Sequence, residues 1–123
     1  MARQAATDFA EKRLAPIAAK LDREGVWPEA ELAALGELGF LGMTVPEALG
    51  GAGFDALAYA LVIEALAKAC ASTAVIVSVN NSLVCEPIVR FGTDAQQSQW
   101  LEPLATGKKL GCFGLTEPSS GSD

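Results

Sequence analysis

Between Lys68 and Glu86 the chain runs without a charge through "ACASTAVIVSVNNSLVC", and this stretch limits the possible folds more than any other. Its length approaches the roughly 17–25 residues of a membrane-crossing helix. Ser72, Thr73, Ser78, Asn80, Asn81 and Ser82 interrupt it, however, which makes it a poor membrane span and a good buried helix. The β-branched "TAVIVSV" alone would also suit a strand. Continuation through "NNSLVCEPIVRFG" favours one long helix, capped at Ser72, bent at Pro87 and closed by Gly92. A helix buried along its length needs other elements packed around it.

The rest of the sequence supplies them as helices. Phe9, Leu14, Ile17 and Leu21 return at helical steps over residues 2–23, with a change of axis at Pro16. A turn at Gly25 leads to a short helix opened by Pro28 at its first position and closed by Gly36 or Gly39. "FLGMTVP" reads as a short extended piece and "PEALGGAGFD" as a glycine loop, with Asp55 capping the next helix. In that helix Ala58, Leu61, Val62, Ala65, Leu66 and Ala69 form an amphipathic stripe. Thr93 and Gln96 form a capping box before a helix with Trp100, Leu101 and Leu104 on its apolar side. Only "LGCFGL", after Lys109, reads as a strand. The expected fold is therefore all-α, with one β-strand at the C-terminal end: a helical domain over residues 1–108 and the start of a second unit over residues 109–123.

At 123 residues, half of them hydrophobic and a fifth charged, the chain can bury one core. The net charge of −6 and the scattered lysines and arginines argue against sequence-independent nucleic-acid binding and against a polybasic membrane patch. The absence of histidine removes His-based triads and most zinc sites, and no metal site is expected. Cys70, Cys85 and Cys112 lack the spacing of a redox or metal motif and read as small buried hydrophobes in a reducing compartment. The N-terminus mixes charges of both signs and does not resemble a signal peptide. A bacterial cytoplasm or an organelle interior such as the mitochondrial matrix fits best.

Few residues suggest chemistry on their own. "GGAG" at residues 50–53 lacks the Lys-Ser/Thr of a phosphate loop and reads as a tight connection between helices. Asn80 and Asn81 stand in an apolar helix, where an unpaired amide costs about 1–3 kcal/mol. Either they are bonded and fix helix packing, or they line a ligand pocket. Glu64 and Glu86 read as partnered or surface carboxylates. The tail "TEPSSGSD" gathers a hydroxyl at Thr116, a stiff turn at Pro118, and close backbone approach with a further hydroxyl at Gly121–Ser122. That combination suits a polar heterocycle edge and a phosphate, although a solvated turn has a similar composition.

Taken together and in order, "VPEALGGAGFD", "CASTAVIVSVNNSL", "PIVRFGTDAQQSQWLEPLATGKKLGCF" and "LTEPSSGSD" resemble the N-terminal part of a flavin-dependent acyl-CoA dehydrogenase, nearest to the short-chain (butyryl-CoA) branch. The most specific match is TEP-x-x-GSD, Thr116 to Asp123. The resemblance implies an N-terminal helical domain followed by the first strand of a middle β-domain, with the chain cut just after its flavin-binding turn.

It further implies FAD as cofactor, with Phe113, Leu115 and Thr116 on the strand along the flavin and Gly121 and Ser122 near the pyrophosphate. Ser122 also matches an acyl-CoA contact, and Ile76, Val77, Asn80 and Val84 match the wall of the acyl pocket. The implied reaction is α,β-dehydrogenation of a fatty acyl-CoA to the trans-2-enoyl-CoA, with electrons passing to an electron-transfer flavoprotein, in a homo-oligomer (dimer or tetramer). The family's catalytic glutamate lies in a C-terminal domain, so no catalytic residue is assigned in this chain, and Glu64, Glu86 and Glu117 are not given that role. Glu86 stands where the short-chain branch more often has a small residue, which bears on chain-length preference. Two other readings use the same residues: an oxygen-using acyl-CoA oxidase-like flavoenzyme, and a non-catalytic helical interaction module.

Overall fold

A computed structural model describes residues 1–122. Seven α-helices form among the described residues: α1 Ala2–Phe9, α2 Ala18–Glu24, α3 Glu29–Glu37, α4 Ala56–Ala69, α5 Ala71–Ser78, α6 Glu86–Phe91 and α7 Asp94–Ala105. Widened, π-type turns continue α1 over Ala10–Leu14 and join α5 to α6 over Val79–Cys85. Helices α5 and α6 with their π turn form one helix, Ala71–Phe91, which by length and composition alone could cross a membrane. It packs against α4 and α7 and wholly buries Asn80 and Asn81, but Val75, Leu83 and Phe91 are exposed, so it is buried on one side and not, as expected, along its whole length.

Both widened turns stop two residues before a proline, Pro16 and Pro87. A proline ring clashes with the carbonyl four residues earlier, here Lys12 or Leu83, and cannot donate to it. Widening the preceding turn moves that carbonyl aside, and the Ala15 amide reaches Ala10 O at 2.8 Å instead. The bends expected at both prolines therefore take this form. At Pro16 the helix is interrupted, and α2 starts afresh at Ala18.

The corner between α4 and α5 is one residue wide. Cys70, with φ −152° and ψ 98°, ends one helix and begins the next, and its sulfur accepts a bond from the Thr73 hydroxyl at 3.2 Å. Ser72 is thus inside the first turn of α5 and not its cap. Pro28 likewise precedes α3 as its cap residue and is not the first helical one. Other terminal signals hold: Gly25 closes α2 at φ 59°, the Asp55 carboxylate accepts from the Ala58 amide at 2.7 Å, and Thr93 and Gln96 form the capping box of α7.

The main core lies where α1 and its π turn pack on α4, closed below by α3 and by Phe40, Leu41 and Met43. The α4 stripe points inward as expected, with Val62, Ala65 and Leu66 buried. A second, smaller core gathers Val45, Cys85, Leu101 and Leu104 between the π turn and α7. "FLGMTVP" does not form a strand. The glycine loop folds back over it, and the amides of Ala52, Gly53 and Phe54 donate to the carbonyls of Gly42, Val45 and Met43. Gly51 makes that possible, since a Cβ there would lie 2.1 Å from Val45 O.

The strand expected over "LGCFGL" is not formed among the described residues, because a strand needs a neighbour to pair with and none is present. Among the described residues the one β-type pairing is an isolated bridge between Glu117 and Ser120. For the same reason Cys112 is exposed, contrary to its reading as a buried hydrophobe, while Cys70 and Cys85 are buried.

Candidate functional site

The segment after α7 leaves the helical body at a defined point. The Lys109 amide donates to Pro103 O at 2.9 Å, and the Lys109 ammonium lies 5.7 Å from the centre of the half-exposed Trp100 ring. Two residues on, the Gly111 amide donates to Asn80 Oδ1 at 2.9 Å. Gly111 rests so closely on Val84 that a Cβ would lie 2.4 Å from Val84 Cγ1.

Beyond Gly111 the chain is open. Residues 112–116 make no backbone hydrogen bond to any described residue. Phe113 and Leu115, at alternate positions, are 53% and 69% exposed. The segment then closes a small turn in which the Glu117 amide donates to Ser120 O at 2.9 Å and the Ser120 amide donates back at 3.2 Å. Gly121 sits next to Thr116, since a Cβ on it would be 3.9 Å from Thr116 Cγ2. The structure thus brings Thr116 and Gly121 together and leaves Ser122 exposed beside them. Asp123, the last residue of the TEP-x-x-GSD match, lies outside the described residues. Chemically, residues 112–116 offer backbone donors and acceptors that pair with no described backbone group, a hydroxyl and two apolar side chains. These suit a flat heterocycle with an apolar face and a hydrogen-bonding edge.

The four residues expected to wall an acyl pocket do not converge on one cleft. Ile76 borders an apolar cleft of about 330 Å3 with Leu21, Val26 and Trp27. Val77 and Asn80 have no exposed surface, and Val84 is half-buried under Gly111. Of the two readings left open for the asparagines, the bonded pair is what forms. Asn81 Oδ1 accepts from the Met43 amide at 2.7 Å, and its Nδ2 donates to Phe40 O and Val77 O at 2.9 Å each. Asn80 Nδ2 donates to Leu41 O at 2.8 Å and Leu104 O at 3.2 Å, while its Oδ1 takes the Gly111 amide.

A second cleft, about 320 Å3, is lined by Thr44, Phe54, Tyr59, Ser82 and Glu86. At its margin the hydroxyls of Tyr59 and Ser78 share a hydrogen bond of 2.9 Å. Glu86 pairs with Arg90 at 2.5 Å and accepts from the Thr44 hydroxyl at 3.4 Å. Asn81 borders this cleft too, so sequence reasoning had singled out Asn81 and Glu86 from the grouping and missed the rest. The readable signal was the four-residue spacing of Ser78, Ser82 and Glu86, which would share a face in a regular helix and is offset here by the π turn between them.

The remaining titratable groups do not suggest an acid or a base. A hydrogen bond from Lys68 (Nζ–Oε1 2.9 Å), the Lys68 charge and that of Arg3 hold the exposed Glu64 carboxyl below its ordinary range, opposite to the tuning of a general base at neutral pH. Burial pushes the Cys85 thiol up to about 11, so it stays protonated and inert at neutral pH.

Comparison with known proteins decides the family. The sequence model of the acyl-CoA dehydrogenase N-terminal domain matches residues 1–108. This chain belongs to the acyl-CoA dehydrogenase family. It is 56% identical over 123 residues to the mitochondrial short-chain specific acyl-CoA dehydrogenase of Mus musculus, covering 100% of this chain and 30% of that protein. Among solved structures, butyryl-CoA dehydrogenase of Megasphaera elsdenii superposes with a TM-score of 0.91 at 42% identity, covering 98% of this chain and 32% of that one. A chain in the structure of the electron transferring flavoprotein of Acidaminococcus fermentans, described in terms of flavin-based electron bifurcation, gives 0.94 at 43% identity over 99% of this chain and 32% of its own length. The chain therefore spans about a third of the length of the acyl-CoA dehydrogenases it matches. The helical fold is that of the family's N-terminal domain.

Proposed function

We propose that this chain is the N-terminal part of an FAD-dependent acyl-CoA dehydrogenase that oxidises a short-chain acyl-CoA to the trans-2-enoyl-CoA. One observation carries the reading. In a chain of this family, residues 112–116 present unpaired backbone groups and exposed apolar side chains at a fixed exit from the helical core. The donor set fits a flavin: backbone groups and the Thr116 hydroxyl for its polar edge, and Phe113 and Leu115 as apolar cover. Gly121 and Ser122 give the close backbone approach and hydroxyl that a pyrophosphate takes, and Ser122 also contacts the acyl-CoA.

Bound FAD supplies the acceptor for the hydride that leaves the substrate β-carbon. The role of this chain is to orient and to exclude water. Donors at residues 113–116 stabilise negative charge on the polar edge of the ring. The acyl-pocket wall carried over from the family, Ile76, Val77, Asn80 and Val84, rests on the family likeness alone, because these residues line no common cleft here. The base that takes the α-proton is not drawn from this chain. Electrons pass to an electron-transfer flavoprotein, the enzyme works as a homo-oligomer, and it resides in the bacterial cytoplasm or the mitochondrial matrix.

The test is anaerobic titration of the purified full-length enzyme with butyryl-CoA. Bleaching of the flavin absorbance near stoichiometry is expected. With Thr116→Val, FAD affinity should fall about tenfold, the net worth of one hydrogen bond. A protein that carries no flavin, or whose flavin is not reduced by any acyl-CoA, would overturn the proposal.

A further inference from the structure

We infer that Asn80 is a positioning residue for the flavin-facing segment, holding its register against the helical core; this rests on the flavin reading above. Asn80 is wholly buried in the π turn, and its side chain ties three separate parts of the chain to that turn. Nδ2 holds Leu41 O at 2.8 Å and Leu104 O at 3.2 Å, and Oδ1 holds the Gly111 amide at 2.9 Å. The amide orientation is unambiguous, since a backbone N–H can only donate and the two carbonyls can only accept.

The Gly111 bond is the last one before the open stretch, because residues 112–116 make no backbone bond to the described residues. Position along the segment is therefore set at Gly111, two residues before Phe113 and five before Thr116. Packing reinforces the clamp: the missing Cβ of Gly111 lets the backbone lie on Val84, one helical turn beyond Asn80. A side chain that spends its acceptor on the root of the segment and both donors on the core couples the two. Asn81, its neighbour, bonds to Met43, Phe40 and Val77 and makes no hydrogen bond to the described residues of the segment. The two asparagines have separable roles: Asn81 holds the core, and Asn80 holds the core and aims the segment.

The experiment compares Asn80→Leu with Asn81→Ala in the full-length enzyme. FAD affinity and the flavin absorbance spectrum are measured, together with hydrogen exchange at Gly111 and residues 112–116. Asn80→Leu is expected to weaken FAD binding about tenfold or more, shift the flavin spectrum and abolish protection at Gly111. Asn81→Ala should lower stability, and with it exchange protection throughout the core, while leaving FAD affinity and the flavin spectrum unchanged. Should Asn80→Leu fail to fold, Gly111→Ala tests the same register from the segment side. It should lose FAD affinity to a similar degree through its clash with Val84, and Gly111→Ala combined with Val84→Ala should recover part of it, since the γ-methyls are removed while the Cβ of residue 84 stays 2.8 Å away. FAD bound equally well by wild type and by Asn80→Leu or Gly111→Ala overturns this inference alone. A wild-type enzyme without FAD overturns the flavin reading and this inference with it.

Discussion

Replacing Asn81 with alanine should cost far more than an average buried truncation, and the structure gives the size. The side chain closes three bonds to backbone groups, the Met43 amide and the carbonyls of Phe40 and Val77. Phe40 and Met43 are almost wholly buried, so alanine leaves at least two groups orphaned away from water. Each orphan costs about 1–3 kcal/mol, and partial relaxation brings the expected loss to about 3–5 kcal/mol. Against a typical total of roughly 5–15 kcal/mol, that is a large share. With about 2.1 cal/mol/K of unfolding entropy per residue over 123 residues, 1 kcal/mol corresponds to about 4 °C, so Tm should drop by about 12–20 °C. Asn81→Asp should do no better, because it keeps the acceptor for Met43 and sets oxygens against two carbonyls. Ser82→Ala, next in the chain and exposed, should cost under about 0.5 kcal/mol. Urea unfolding followed by helical circular dichroism reads all three. An Asn81→Ala variant within about 1 kcal/mol of wild type would refute the orphaned-group reasoning.

Gly51→Ala should destabilise by at least about 2 kcal/mol, because its Cβ meets the Val45 carbonyl and not a movable side chain; an unchanged urea midpoint would show that the loop can shift. Native protein treated with iodoacetamide near pH 8 should be alkylated at Cys112 and spared at Cys70 and Cys85, as peptide mass mapping would show. Burial holds the Cys85 pKa at about 11 in the folded chain against an ordinary 9.0, so the unfolded chain loses its proton first. The Cys85 contribution is thus complete below pH 9 and lost as pH rises through 11, and wild type should lose more stability over that window than Cys85→Ala. Asp55→Ala should cost about 1 kcal/mol through loss of the α4 cap, measured by the same unfolding curves.

Legibility in the sequence followed the range of the interaction. Asp55, the Thr93–Gln96 box and the α4 stripe are signals carried within a few residues, and each formed as read. Ser72 and Pro28 were displaced by one or two positions, because the one-residue corner at Cys70 and the turn before α3 depend on how neighbouring helices dock. The asparagine clamp was visible only as a question. Two amides in an apolar helix require partners, but Leu41, Phe40, Met43, Leu104 and Gly111 are distant in sequence. The residues proposed to face a flavin rest on the motif at Thr116 to Ser122, whereas strand formation at "LGCFGL" depends on partners that the segment cannot specify alone. Ile76, Val77, Asn80 and Val84 share a face in an ideal helix, and the π turn between them breaks that phase.

That turn has a geometric effect on the whole body. A regular helix advances about 100° per residue, and a widened turn takes in an extra residue without an equal advance of the faces. The helix Ala71–Phe91 therefore behaves as two helices with an angular offset: Ala74 and Val77 face the main core, and Val84, Cys85 and Ile88 face the smaller one. Removing one residue within Val79–Cys85, together with Pro87→Ala, would restore a uniform helix and rotate Cys85 away from Leu101 and Leu104. One surplus residue held in place by a proline acts as the gear tooth that lets a single helix serve two cores.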